Sequence, residues 1–246
     1  MKILLIAGHG ENDSGAVANG YKEADLTREL VKLISKSLRK YADVFVYATE
    51  KNAFKQAKKG SMKIPDGVDY ALEIHFNSHD SSTAHGSECF VTTREEGITV
   101  EKLIMKELSK YFTLRDNDSV FDGVKRENFL VINTLKNKGI SGALLEVCFI
   151  SNKTDITVYQ VNKERIAEGI VEGIVQGFGL NEVHEIYYPA FSSKSIVNGL
   201  KSVGIDSSFK NRKRIATAND IQGYSGTAEE NIKMLELAKR GTLKKP

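Results

Sequence analysis

Four residues of this 246-residue chain have types and positions suited to metal-assisted hydrolysis: His9, Glu23, His75 and Glu146. His9 stands between Gly8 and Gly10, after the apolar run of residues 2–7. A histidine between glycines at a strand end opens into the crevice where open α/β sheets gather ligands; the plainer reading is a turn histidine. Glu23 stands just ahead of a helical pattern, where a carboxylate also serves simply as favourable charge at a helix N-terminus. His75 falls at the end of the apolar run 68–76, a signature that a packed core histidine shares. Glu146 interrupts Leu144-Leu145-Glu146-Val147. A carboxylate buried without a partner is costly, so Glu146 must face a metal, a cation or a substrate, or else a structural ion pair.

Taken together the four are more specific than any one. Two histidines and a glutamate make a three-ligand zinc site with a fourth position left for water. Zinc lowers the pKa of that water and polarises a carbonyl. A carboxylate nearby that is not a ligand, here Glu146, takes the proton and passes it to a leaving amine. These are the parts needed to hydrolyse an amide. Asn77, His79 and His85 follow in and after the strand of His75 and are candidates for substrate contact. The two loop histidines are not read as ligands, because three protein ligands already suffice.

Strands and helices must bring these residues together. Short apolar runs predict strands over 2–7, 44–47, 68–76, 87–92, 128–132 and 142–150, the first of them continuous as buried parallel strands are. Helical spacing predicts helices over 25–40, with Asp25 as N-cap, and over 51–60, 98–112 and 161–178, with a turn at 135–138. Alternation of the two argues for an α/β domain around a largely parallel sheet. That pattern stops near Gly179. Residues 180–189 read as a linker, and 190–246 as a small helical module with helices over 195–203, 211–218 and 227–240. The expected organisation is therefore 1–179, 180–189 and 190–246.

Composition narrows the classes. Charged residues make up 27% of the chain, with ample apolar content for a core, which excludes global disorder. The net charge of +3 is uneven: residues 181–246 hold 11 Lys/Arg against 7 Asp/Glu, while residues 1–180 hold 24 against 25. A basic tail suggests an anionic partner such as a wall polymer, nucleic acid or a membrane surface, or simply a solvated helix face. Two cysteines, Cys89 and Cys148, make neither a disulfide framework nor a Cys-rich zinc site. The apolar start is too short for a signal peptide and no segment has the ~20 apolar residues of a membrane span. The expectation is synthesis in the cytoplasm without a signal peptide, action at the wall after release, and no stable membrane insertion.

Four stretches carry a family resemblance: Ile6-Ala7-Gly8-His9-Gly10, Glu23-Ala24-Asp25-Leu26, Glu73-Ile74-His75-Phe76-Asn77, and Leu145-Glu146-Val147-Cys148-Phe149-Ile150-Ser151-Asn152. In this order the chain resembles the zinc-dependent N-acetylmuramoyl-L-alanine amidases of the amidase-3 type over residues 1–178. The resemblance implies an α/β fold with a central mixed sheet flanked by helices. It implies zinc on His9, Glu23 and His75, a catalytic carboxylate at Glu146, and cleavage between muramic acid and the L-alanine of the stem peptide. Two departures stand out. Ile6-Ala7 replace the usual acidic residue before Gly-His-Gly, which removes a carboxylate behind the ligand histidine. Glu73 replaces the usual serine and shares a strand face with His75, as a partner of that histidine or in a salt bridge.

The tail resembles a short wall-binding module of endolysins from phages of Gram-positive bacteria, through residues 204–213, 218–221 and 224–231. That implies a Gram-positive peptidoglycan partner, with Tyr224, Lys210 and Arg212 as candidate wall contacts. Other readings are a metallopeptidase cutting within the stem peptide, a host autolysin with the same amidase activity, a non-catalytic wall-binding protein, and a nucleic-acid-binding tail. The intact four-residue constellation weighs against a non-catalytic role, and the acidic head against nucleic acid. Oligomeric state is not legible.

Overall fold

The computed structural model describes residues 1–115, 122–182 and 187–246. The chain divides into two compact units, Met1–Glu182 and Val183–Pro246. In chain order the first contains β1 (Lys2–Ala7), the short hairpin β2 (Val17–Ala18) and β3 (Tyr21–Lys22), α1 (Glu23–Leu38), β4 (Asp43–Val46), α2 (Ala53–Lys58), β5 (Tyr70–Asn77), β6 (Glu88–Val91), α3 (Thr99–Leu108), β7 (Val124–Arg126), α4 (Leu130–Lys136), β8 (Ser141–Phe149) and α5 (Lys153–Phe178). The second contains α6 (Ile196–Ser202), α7 (Phe209–Ala218) and α8 (Ala228–Lys239).

Six strands form one sheet in the order β4-β1-β5-β8-β6-β7. β1 runs parallel to β4 and β5, and β5 parallel to β8. The sheet becomes mixed at β6, which is antiparallel to β8 and parallel to the edge strand β7. The sheet is thus mostly parallel, as the alternating pattern requires, and helices cover both faces. On one face Leu30, Ile34, Ile104, Leu108, Ile166, Ile170 and Ile174 pack on Leu5, Leu72 and Leu145. On the other Ala53, Ala57, Val131 and Leu135 cover Leu4, Ile6 and Ala71.

α3 rides on a glycine ridge of α5. Gly173 and Gly177 lie one turn apart, and a Cβ at Gly173 would stand 2.6 Å from the Ile104 backbone nitrogen. One at Gly177 would stand 2.8 Å from Val100 Cα. Backbone cannot yield as a flexible side chain does, so Gly173→Ala is expected to destabilise the first unit by about 1–3 kcal/mol, despite alanine's better helix propensity. Thermal or urea unfolding measures it; an unchanged midpoint would mean that the two helices slide apart without cost.

Several elements differ from their sequence-based expectation. α1 starts at Glu23 with Lys22 as N-cap, so Asp25 lies inside the first turn. Residues 128–132, expected as a strand, instead run into the first turn of α4, which ends at Lys136, inside the expected turn at 135–138. A four-residue apolar run does not distinguish the two states, and here Val131, Ile132 and Leu135 bury one helical face. The neighbouring strand lies earlier, at β7. α5 begins at Lys153, eight residues before the expected start, because the Asn152 side chain accepts hydrogen bonds from the Thr154 and Asp155 backbone nitrogens. The β-branched residues Thr154, Ile156, Thr157 and Val158 weaken the helical signal of those first turns; tertiary burial of Ile156 and Tyr159 overrides it.

The second unit has its own core of Phe191, Ile196, Leu200, Ile215, Tyr224, Met234, Leu235 and Leu243. Ser195, Ser208 and Thr227 cap its helices, and Thr227 with Glu230 makes a capping box, the reciprocal arrangement that satisfies two orphan donors. Of the segment expected as a linker, residues 183–186 lie outside the described residues. Tyr188 is tied into the second unit by a hydrogen bond to the Leu243 carbonyl. Both cysteines are free and buried. No helix among the described residues is long and apolar enough to cross a membrane.

Candidate active site

The register of three parallel strands assembles the site. Ile6 pairs with Glu73, Glu73 with Leu144, and His75 with Glu146. β6 completes the row by setting Glu88 opposite Glu146. Because residues two apart share a strand face, Glu73, His75, Leu144 and Glu146 all face one side. His9 reaches the same place from the turn after β1, and Glu23 from the first residue of α1.

His9 is held by an unusual backbone. Its φ is +63°, and Glu11 and Asn12 are also left-handed. A non-glycine residue in this region costs about 1–3 kcal/mol, which the surroundings offset: Arg28 donates to the carbonyls of Gly8 and His9 at 3.0 Å each. Gly8 is required by proximity, since a Cβ there would lie 2.3 Å from the His75 ring.

The side chains of His9, Glu23 and His75 offer one nitrogen or oxygen each, all within 4.8 Å of one another. His9 Nε2 lies 3.0 Å from Glu23 Oε2, and His75 Nδ1 lies 2.9 Å from Glu23 Oε1. Backbone nitrogens of Ala16 and Phe76 donate to the same carboxylate at 3.0 and 3.1 Å. Burial alone would raise the pKa of Glu23, but hydrogen bonds from His75 and His9 outweigh it and hold the carboxyl well below its ordinary range. In turn, burial opposes charge on the two histidines, and Glu23 raises both, His75 strongly with help from Glu73.

Each histidine's other nitrogen meets a carboxylate. His9 Nδ1 lies 3.1 Å from Asp13 Oδ2, and His75 Nε2 lies 3.2 Å from Glu73 Oε1. Metal-binding histidines are characteristically oriented in this way. Asp13 was not apparent from the sequence. Its signal was local: it sits four residues after His9 in a glycine-rich turn, accepts from the Gly15 nitrogen at 3.0 Å, and is steadied by Asn52 at 2.9 Å. It supplies from the far side of the turn the carboxylate that Ile6-Ala7 lack. Glu73 pairs with His75, and its Oε2 is buried without a hydrogen bond.

These groups line a cavity of about 450 Å³ that also holds Asn77 and Glu146. Burial is the main cause that pushes the Glu146 carboxyl up to about 7; His75 works against it, and Glu23, Glu88 and Glu73 reinforce it. Its Oε2, like that of Glu73, is buried with no hydrogen-bond partner. Among the described residues, four carboxylates and no Lys or Arg line this cavity. A divalent cation fits such a donor set: two imidazole nitrogens and a carboxylate oxygen converge, and orphaned carboxylate oxygens stand by. The rest of the lining includes the apolar side chains of Phe54, Phe129, Leu130, Val131 and Leu144.

The other candidates fall differently. Asn77 lines the cavity and donates to Glu88 at 2.5 Å, so its side chain braces the strand junction. His79 and His85 are exposed loop residues outside the cavity; the ring of His79 accepts from the Ser81 nitrogen at 2.9 Å, and that of His85 bonds the Thr83 carbonyl at 2.8 Å. In the second unit Tyr224 is 4% exposed, and its hydroxyl bonds Asn231 at 2.7 Å and Arg212 at 2.9 Å. Tyr224 and Arg212 thus hold that unit together, whereas Lys210 is exposed.

A mostly parallel sheet with a His/Glu/His donor cluster at its strand ends, beside a half-buried carboxylate, is an α/β architecture whose site could hold a metal. The model of the N-acetylmuramoyl-L-alanine amidase family of amidase-3 type matches residues 3–176, and the chain belongs to that family. It is 29% identical over 179 residues to the N-acetylmuramoyl-L-alanine amidase LytC of Bacillus subtilis, covering 70% of this chain and 34% of that protein. With the endolysin of Bacillus phage SPP1 it shares 26% over 190 residues, covering 73% and 67%. The chain thus spans about a third of the length of the first of these relatives. The catalytic domain of CwlV, from Bacillus (Paenibacillus) polymyxa, shares the fold with a TM-score of 0.60 and 24% identity, over 74% of this chain and all of that domain.

Proposed function

We propose that this chain hydrolyses the amide between N-acetylmuramic acid and L-alanine in peptidoglycan, with zinc on His9, Glu23 and His75 and with Glu146 as proton acceptor and donor. The observation that carries the reading is the convergence of three donor atoms within 4.8 Å in the cavity that holds Glu146, in a chain of the amidase-3 family. When bound, zinc supplies a Lewis acid that polarises the scissile carbonyl and makes a water acidic enough to attack at neutral pH.

The chain's residues do the rest. Asp13 and Glu73 fix the rings of His9 and His75, so that Nε2 of the first and Nδ1 of the second point inward. Glu146, off to one side on β8, accepts the proton of the attacking water and returns it to the leaving nitrogen of alanine, the two-step role of a general base and acid. A carboxyl whose pKa lies near the working pH does both. The cavity's apolar residues lower the local dielectric, which strengthens the charge interactions within the cleft.

The second unit is proposed to tether the first to a Gram-positive wall, raising its local concentration without altering its chemistry, as in a phage endolysin; a host autolysin would use the same parts. Mass spectrometry of products from purified peptidoglycan, with and without chelator, tests the reaction. Stem peptides beginning at L-alanine, released only with metal, are expected; cleavage inside the stem would move the enzyme to the peptidases. Truncation after Glu182 is expected to leave a folded, metal-loaded amidase whose sedimentation with whole walls falls about tenfold or more. Undiminished sedimentation would remove the second unit from tethering.

A further inference from the structure

Helix α7 is built against local preference. Lys210, Arg212, Lys213 and Arg214 fall within ten residues that contain no acid. Like charges three and four apart on a helix repel, and cations in the first turn oppose the helix dipole. Its neighbour α8 shows the ordinary solution: Lys233 pairs with Glu229, and Arg240 approaches Glu236, each at i,i+4. Among the described residues Lys210, Lys213 and Arg214 have no ion-pair partner, and all three are exposed. Their spacing puts them on one face, opposite the buried Ile215 and Ala216. The acid nearest in sequence, Asp206, is turned onto Ser208, whose nitrogen and hydroxyl it accepts at 2.8 Å each.

Beside this face stands an aromatic ring that the fold holds out to solvent. Phe209 is 49% exposed, yet its inner side is fixed. The Tyr224 ring lies 5.6 Å away, the Arg212 guanidinium 5.9 Å from its centroid, and a Cβ on Gly226 would approach to 3.0 Å. Arg212 is immobilised by Tyr224, Asn231 and the Ser207 carbonyl. The outer face is therefore a rigid apolar plate that loses little freedom on binding. Charge segregation points the same way: residues 183–246 hold 11 Lys/Arg against 6 Asp/Glu, and residues 1–182 hold 24 against 26.

We infer that Phe209, Lys210, Lys213 and Arg214 form a docking surface for peptidoglycan, with a sugar face on the Phe209 ring and stem-peptide carboxylates on the three cations. The chemistry is a flat apolar plate edged by unpaired positive charge, complementary to a glycan that carries carboxylates at intervals. The partner's identity rests on the proposed reaction of the first unit, whose substrate is that same polymer.

The test uses the full chain and purified peptidoglycan from which covalently attached phosphate-bearing polymers have been stripped. Co-sedimentation is measured for the unaltered chain, for Phe209→Ala, for the triple variant Lys210→Glu/Lys213→Glu/Arg214→Glu, and for the same three positions changed to Gln. The Gln variant relieves helix repulsion, so loss of folding cannot account for its behaviour. Binding by the unaltered chain is expected to weaken as salt rises, and the charge-reversed variant to bind about tenfold or more weakly, with the Gln and Phe209→Ala variants between. Cleavage of a soluble muramoyl-peptide fragment should be equal in all four, which shows independently that the first unit's reaction stands. Equal sedimentation of all four overturns the inference alone. Binding that vanishes on stripping assigns the face to a phosphate-bearing polymer and overturns it too, as does salt-sensitive binding to DNA through the same residues with none to stripped peptidoglycan. A fragment left uncut by the unaltered chain, whatever the sedimentation, instead sinks the reaction.

Discussion

Glu146→Gln is expected to bind zinc as the unaltered chain does and to lose turnover by about 10²–10⁴-fold. Glutamine keeps the size of the side chain but can neither accept the proton of the attacking water nor deliver it to the leaving amine. The substitution is also structurally mild. Glu146 Oε2 makes no hydrogen bond within the protein, and the site presses its carboxyl toward the neutral form by burial first. Removing a charge whose burial is costly should leave the unfolding midpoint equal or higher, the opposite of a merely structural ion pair. The unaltered enzyme should lose kcat as the medium is acidified, because Glu146 accepts a proton only when ionised. Its midpoint should lie at or below about 7, since a bound cation favours the ionised form. Full activity in Glu146→Gln, with zinc retained, would remove Glu146 from the chemistry.

Glu23→Ala should abolish zinc binding and activity together. Glu23 meets His9 Nε2, His75 Nδ1 and the backbone nitrogens of Ala16 and Phe76, so alanine removes the anionic ligand and the brace that aligns the other two. Two backbone N–H groups lose their acceptor, at about 1–3 kcal/mol each where water does not replace it. Glu23→Gln separates the effects: its amide oxygen can still accept from one backbone nitrogen, so stability is partly restored, while the lost negative charge still empties the metal site. Metal content by atomic absorption, read beside thermal unfolding, distinguishes the two. Zinc at one equivalent per chain in either variant would show that Glu23 is not a ligand. The contrast with Glu146→Gln is the sharper test: the expected pair of outcomes would assign the metal to one carboxylate and the proton to the other.

Much of the site was legible in the sequence because its key residues violate local expectation. Glu146 inside an apolar strand, and His9 between two glycines, are placements that packing alone does not favour. The alternation of strands and helices fixed the class of fold by the same logic of periodicity. What the sequence left ambiguous were runs whose local signal fits two states. Residues 128–132 read as a strand but enter α4, and the first turns of α5 were hidden by their β-branched residues.

Amino-acid order alone singled out the four residues as a set: each has an ordinary alternative role, but two histidines and two carboxylates at strand and helix ends of one α/β pattern share few roles other than a metal site. Only the tertiary structure decided which groups surround them. Asp13 reaches His9 because four consecutive residues of positive φ, 9–12, fold the turn back on itself, and no linear pattern encodes that direction. Glu73 meets His75 Nε2 at 3.2 Å where a salt bridge was the favoured reading, and parallel register sets that pair beside Leu144 and Glu146. His79 and His85 are carried out of the cleft by the loop's own hydrogen bonds. In the second unit, composition announced a basic helix, but three-dimensional packing buried Tyr224, locked Arg212 and left Phe209 outside. A side chain's type sets what it can do; its neighbours in space, supplied by elements distant in sequence, set whether it is free to do it.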